Sequence, residues 1–78
     1  MSNEQLRNLI KMANQISANN LHHETERAAS KAVANHISMF WARSMKNLII
    51  EYANADGSEL SKLSRKAIAQ IEMKVDIA

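Results

Sequence analysis

Of 78 residues none is proline, none is cysteine and a single one, Gly57, is glycine. A chain so short of breakers has few ways to turn sharply or to end a helix abruptly. Strands and tight turns lean on Gly, Pro and aromatic or β-branched residues. Here Ala, Leu, Lys, Glu, Gln and Met dominate instead, and these are the stronger helix formers. The expected fold class is all-α: a small compact bundle of about four short helices in one domain spanning residues 1–78. A domain of this size buries only about 60–65% of its unfolded surface. Its core supplies only about 3–5 kcal/mol, and no disulfide or cysteine-ligated zinc reinforces it. Support has to come from close helix packing or from a partner.

Apolar periodicity places the helices. The first is expected over about residues 3–17, with Ser2 as N-cap and Gln5 three residues later as in a capping box. Its stripe is Leu6, Leu9, Ile10, Ala13 and Ile16. Asn19 and Asn20 end it, since asparagine tolerates the left-handed conformation. Leu21 is a possible anchor in a polar connector. The second helix is expected from near Thr25 to about Trp41, with Ala29, Ala32, Val33, His36, Ile37 and Phe40 on its inner face. The third covers about residues 42–53, with Met45, Leu48, Ile49 and Tyr52 inward. The junction holds no breaker, yet a helix from 25 to 53 is too long for so small a domain, so a bend or short interruption is expected there. The Asp56-Gly57 pair marks the clearest turn. Ser61 then caps a last helix carrying Leu63, Ala67, Ile68, Ile71 and Val75.

Chemistry has little to work with. There is no cysteine nucleophile and no serine in a glycine elbow. A glycine-rich phosphate loop is ruled out by the single glycine. Carboxylates do not pair on an apolar face, so general acid–base work has no evident site. His22 and His23 are adjacent and diverge by about 100° on a helix, a poor arrangement for one metal. His36 lies on the apolar face of the second helix, where histidine is ordinarily a core residue hydrogen-bonded to a carbonyl. Phe40 and Met45 are expected mainly to fill the core, whereas Met39 and Trp41 fall out of register with it. Ile37, Phe40 and Trp41, at i, i+3 and i+4, form a candidate contact patch, because methionines adapt to irregular surfaces and aromatics concentrate at interface hot spots.

The net charge is +2, with ten Lys and Arg spread along the chain. The densest basic group is Lys62, Arg65 and Lys66. It reads first as a solvated helix face and, in a competing reading, as the contact of a free-standing helical nucleic-acid-binding protein. Apolar runs such as Leu48-Ile49-Ile50 are far below the roughly 20 residues of a membrane span. No targeting segment is evident, so a cytoplasmic location is expected.

Two segments carry a more specific signal. One is Met12-Ala13-Asn14-Gln15-Ile16. The other runs from Val33 to Met45, with the skeleton His36-Ile37, two further residues, Phe40-Trp41, and Met45 four residues on. With the Leu60-Ser61-Lys62-Leu63 start of the last helix, they resemble the delta subunit family of the NAD-dependent, molybdenum-containing formate dehydrogenases over roughly residues 6–71. In that family an acid and a proline commonly follow the tryptophan, and a proline commonly follows the serine at 61. Here Ala42-Arg43 and Lys62 stand in those places. The resemblance implies a non-catalytic accessory subunit that supports assembly, cofactor loading or stability of the catalytic alpha subunit. The complex as a whole carries bis-molybdopterin guanine dinucleotide, iron–sulfur clusters, FMN and NAD, and none of these is implied for this chain, which has no thiolate to hold a cluster. Carried over residue by residue, the motifs give Met12, Asn14, Gln15, His36, Phe40, Trp41 and Met45 as candidate partner-binding residues. Self-association of the isolated chain through the same apolar surface is a further expectation.

Overall fold

The computed structural model describes residues 2–77, with side chains from Glu4 to Met73. Four helices follow one another: α1 (Ser2–Ala18), α2 (Glu26–Phe40), α3 (Arg43–Ala55) and α4 (Lys62–Ile77). No strand occurs among the described residues. The expected all-α bundle is what forms. The capping expected of the Ser2 side chain, and the Val75 side chain, lie outside the described residues.

One core joins all four helices. Leu9, Ile10 and Ala13 come from α1, Ala29, Val33, Ala34 and Ile37 from α2, Ile49 from α3, and Leu63, Ala67, Ile68 and Ile71 from α4. Trp41 and Leu60 close it from the two junctions. α4 packs most extensively on α2, where alanines and serines let the backbones approach. Ser30 and Ser64 are buried polar residues on these helices. Ser30 Oγ donates to Arg27 O at 3.0 Å and accepts from Gln70 Nε2 at 2.8 Å, which ties α2 to α4.

Helix ends follow local chemistry. Thr25 caps α2, its Oγ1 accepting from Ala28 N at 3.0 Å, and Ser61 caps α4, its Oγ accepting from Ser64 N at 3.2 Å. Leu21 is 71% exposed and anchors nothing. The α1–α2 connector is held instead by Asn20, whose Nδ2 donates to Ile16 O at 2.8 Å and whose Oδ1 lies 3.0 Å from His23 Nε2. Neither Asn19 nor Asn20 is left-handed, because among the described residues only Gly57 has positive φ. The asparagine signal was therefore right about position and wrong about mechanism: a side chain, not a left-handed backbone, satisfies the open carbonyl.

Gly57 follows the C-cap Asp56 of α3 with φ of +62°. A Cβ there would stand 2.9 Å from Ala53 O, a backbone atom. Gly57→Ala is therefore expected to lower stability by about 1–2 kcal/mol, since it combines a left-handed penalty with a clash. Thermal denaturation followed by circular dichroism checks this.

The break between α2 and α3 comes where a bend was expected. Trp41 (φ −93°, ψ 141°) and Ala42 (φ −66°, ψ 156°) are both extended, and no side chain caps α3. Lys46 Nζ donates to Ser38 O at 3.2 Å and covers one open carbonyl at the end of α2.

Candidate functional site

Two adjacent rows of side chains run along α2 at spacing i, i+4. Ala29, Val33, Ile37 and Trp41 form the row that enters the core, and all four are buried. Ala32, His36 and Phe40 form the neighbouring row, which turns outward as it approaches the end of the helix. Phe40 is 69% exposed and His36 is exposed as well. The expectation that His36 and Phe40 lie in the core is thus overturned, and so is the expected exposure of Trp41. The cause is the direction of packing. α2 meets its neighbours along an i+4 ridge, which drifts around the helix by about 40° per step. At its end that drift carries Trp41 inward and leaves Phe40 behind. The extended backbone of Trp41 completes the swap. Of the patch expected from Ile37, Phe40 and Trp41, only Phe40 presents itself to solvent, joined by Met39 at 75% exposure.

The outward row borders a groove of about 360 Å³. α1 supplies Met12, Gln15 and Ile16, α2 supplies His36 and Phe40, the junction supplies Trp41, and α3 supplies Met45. The His36 and Phe40 rings lie 4.8 Å apart, tilted by 45°. Met12 is 43% exposed, and Met45 and Ile16 are half-buried with their inner sides on the core. The walls are thus flexible thioethers and aromatic edges, with Gln15 and His36 as the polar groups. Two separate sequence segments, residues 12–16 and 36–45, converge on this one surface. Of the seven candidate partner-binding residues it gathers Met12, Gln15, His36, Phe40, Trp41 and Met45, and leaves out Asn14.

Asn14 does different work. Its Nδ2 donates to Glu59 O at 2.8 Å, and its Oδ1 accepts from Ser61 N at 2.9 Å and Ser64 Oγ at 3.0 Å. The buried Ser17 and Ser64 hydroxyls hydrogen-bond each other at 2.7 Å beneath it. Asn14 is a clamp between α1 and the start of α4. Its amide is engaged within the fold, where a partner would find little of it free. Ser17, Ser30 and Ser64 escaped the sequence reading because buried serines have no apolar periodicity. The usable signal was their position, one helical turn from core alanines.

The basic group on α4 is also engaged. Lys66 Nζ sits 2.7 Å from Glu26 Oε1, and Lys62 Nζ lies 4.0 Å from Oε2. The hydrogen bond from Lys66 holds the Glu26 carboxyl below its ordinary value. Arg65 Nε donates to Gly57 O at 3.1 Å. His22 and His23 stack with centroids 4.4 Å apart. Among the described residues no group of three or more His, Cys, Asp or Glu side chains is placed to hold a metal ion, and no helix is long and apolar enough to cross a membrane.

Comparison with known families adds one finding. The family model described as the NADH-dependent formate dehydrogenase delta subunit matches residues 8–68. That stretch contains every residue lining the groove. No curated protein and no solved structure matches the chain.

Proposed function

The chain belongs to the NADH-dependent formate dehydrogenase delta subunit family, and from that premise we propose that it is a non-catalytic accessory subunit docking through its groove onto the catalytic alpha subunit. The observation that carries the reading is convergence: Met12, Gln15 and Ile16 of one motif meet His36, Phe40, Trp41 and Met45 of the other on a single surface. An apolar groove rimmed by methionine and an exposed phenylalanine suits a protein partner. Catalysis and the redox centres belong to the other subunits. A chain without cysteine has no thiolate for an iron–sulfur cluster, and no glycine-rich cradle for a nucleotide. Its contribution is to support assembly, cofactor loading or stability of the alpha subunit in the cytoplasm.

The nucleic-acid reading has weaker footing. A duplex would have to draw Lys66 from Glu26 and Arg65 from Gly57 before gaining phosphate contacts.

The test is co-purification with the alpha subunit, prepared with and without its pterin cofactor. Retention on the mature complex in stoichiometric amount supports a lasting subunit. Preferential binding to the cofactor-free form supports a transient assembly role. Binding to neither form rejects the reading. Phe40→Ala separates docking from folding. Its side chain is largely exposed, so stability is expected to change by less than about 0.5 kcal/mol. Association is expected to weaken at least about tenfold, or about 1.4 kcal/mol, as for an aromatic anchor. Thermal melting and a binding titration on the same preparation check both.

A further inference from the structure

The stretches of chain that line the groove carry charge of one sign only. Residues 5–23 and 27–50 contain Arg7, Lys11, Arg27, Lys31, Arg43 and Lys46 and not a single Asp or Glu. Lys11 adjoins Met12 and stands one turn before Gln15. Arg43 lies between Trp41 and Met45, and Lys46 adjoins Met45. Lys11 and Arg43 are exposed. The nearest acids along these helices are Glu4, Glu26 and Glu51. At 1.5 Å per residue they stand about 12, 15 and 9 Å along the axis from the closest lining residue. Those spans reach or exceed the screening length of about 8 Å at physiological salt, and Glu26 is already paired with Lys66. The groove is therefore an apolar floor whose charged neighbours in sequence are all cations.

We infer that the groove receives an amphipathic acidic helix of the partner subunit, apolar side chains at i, i+3 or i+4, and i+7 seated between Met12, Phe40 and Met45, with Asp or Glu beside them facing Lys11 and Arg43. This inference rests on the docking reading above and names the chemistry of the occupant. A helix is the fitting form, because an all-helical fold offers no open sheet edge for strand addition among its described residues. An i+4 row such as His36 and Phe40 instead presents ridges that a second helix can interlock with. A second copy of this chain is disfavoured by its own charge. A two-fold interface sets the same patch against itself, so Lys11 and Arg43 would meet cations and no carboxylate.

The test is titration of the full chain onto the purified alpha subunit at low and high sodium chloride, with four forms: unaltered, Phe40→Ala, the double variant Lys11→Glu with Arg43→Glu, and Lys62→Glu as a control on α4. All are exposed positions, and thermal melts confirm that each form is folded before it is titrated. The expected result is at least a tenfold loss for both Phe40→Ala and the double variant. Lys62→Glu should bind within about twofold of the unaltered chain. The unaltered chain should associate more slowly at high salt, and the double variant should lose that salt dependence. A photo-crosslinking phenylalanine analogue at position 40 should label a helical alpha-subunit segment rich in Asp and Glu. If Phe40→Ala abolishes binding while the double variant and salt leave it unchanged, the groove docks a partner but the acidic-helix inference is overturned. If neither variant weakens a measurable association, the groove is not the interface and the docking reading falls with it. Self-association of the isolated chain that Phe40→Ala abolishes would make a second copy the occupant and overturn the inference.

Discussion

Trp41→Ala is expected to abolish the cooperative unfolding transition of the isolated chain. The indole is only 6% exposed and closes the core at the α2–α3 junction. Truncating a buried tryptophan costs about 3–5 kcal/mol, and a core of this size supplies about the same amount in total. With no disulfide in reserve, little stability remains. Far-UV circular dichroism at 25 °C should show helix content falling well below that of the unaltered chain, and heating should give a broad slope. Trp41→Phe keeps an aromatic ring in the slot and should retain a cooperative transition at a lower temperature. An unaltered melting curve for Trp41→Ala would show that the junction does not depend on this residue. The contrast with Phe40→Ala is the informative part. Two neighbouring aromatics should give opposite phenotypes, one losing the fold and the other losing the partner.

Asn14→Ala is expected to have the second largest effect on stability. One side chain satisfies Glu59 O, Ser61 N and Ser64 Oγ, joining α1 to the entrance of α4. Glu59 O and Ser61 N are open to water and regain partners, whereas the Ser64 hydroxyl lies deeper and still contacts Ala13 O at 3.2 Å. A net loss of about 2 kcal/mol follows, which lowers the melting temperature by about 8–16 °C in a domain of this length. Hydrogen exchange should quicken at the Ser61 amide, while amides at the centre of α2 change only through the overall loss of stability. Equal acceleration at all amides would mean that Asn14 acts on the fold as a whole and not on this joint.

The architecture was readable because composition and periodicity agreed. The stripe Leu9, Ile10 and Ala13 is the buried face of α1, and Leu63, Ala67, Ile68 and Ile71 are that of α4. Capping by Ser61 was legible from residue type alone, and so was a start of α2 near Thr25. The third helix runs to Ala55, past the expected end at 53, because the turn begins only at the Asp56 C-cap. What periodicity did not resolve was the angle at which α2 meets its neighbours. On a helical wheel Phe40 lies nearer to Val33 than Trp41 does, so counting turns puts the wrong aromatic inside. The actual seam follows a ridge set by tertiary packing. The smaller neighbours Ser30 and Ala34 mark its close side, and bulky-residue counting passes over them.

The groove itself was legible in a different way. Its lining residues were singled out by motif resemblance, not by burial, and three of the seven, His36, Phe40 and Trp41, are residues that periodicity misplaced. Asn14 belongs to the same motif yet serves the fold, because motif membership does not distinguish a residue that builds a surface from one that fixes the helix beneath it.

The paired extended residues Trp41 and Ala42 have a consequence for how the groove comes into being. Nothing in their local chemistry forbids a helix: there is no glycine, no proline and no capping side chain. Left to local preference, residues 26–55 would form one rod of about 45 Å. The seating of Trp41 in the core helps to bend that rod into two arms, and the groove has a wall on each arm. The surface is therefore absent from any partly folded form in which the indole has not found its slot. A partner that grips Phe40 on one arm and Met45 on the other is gripping a chain whose core has already closed.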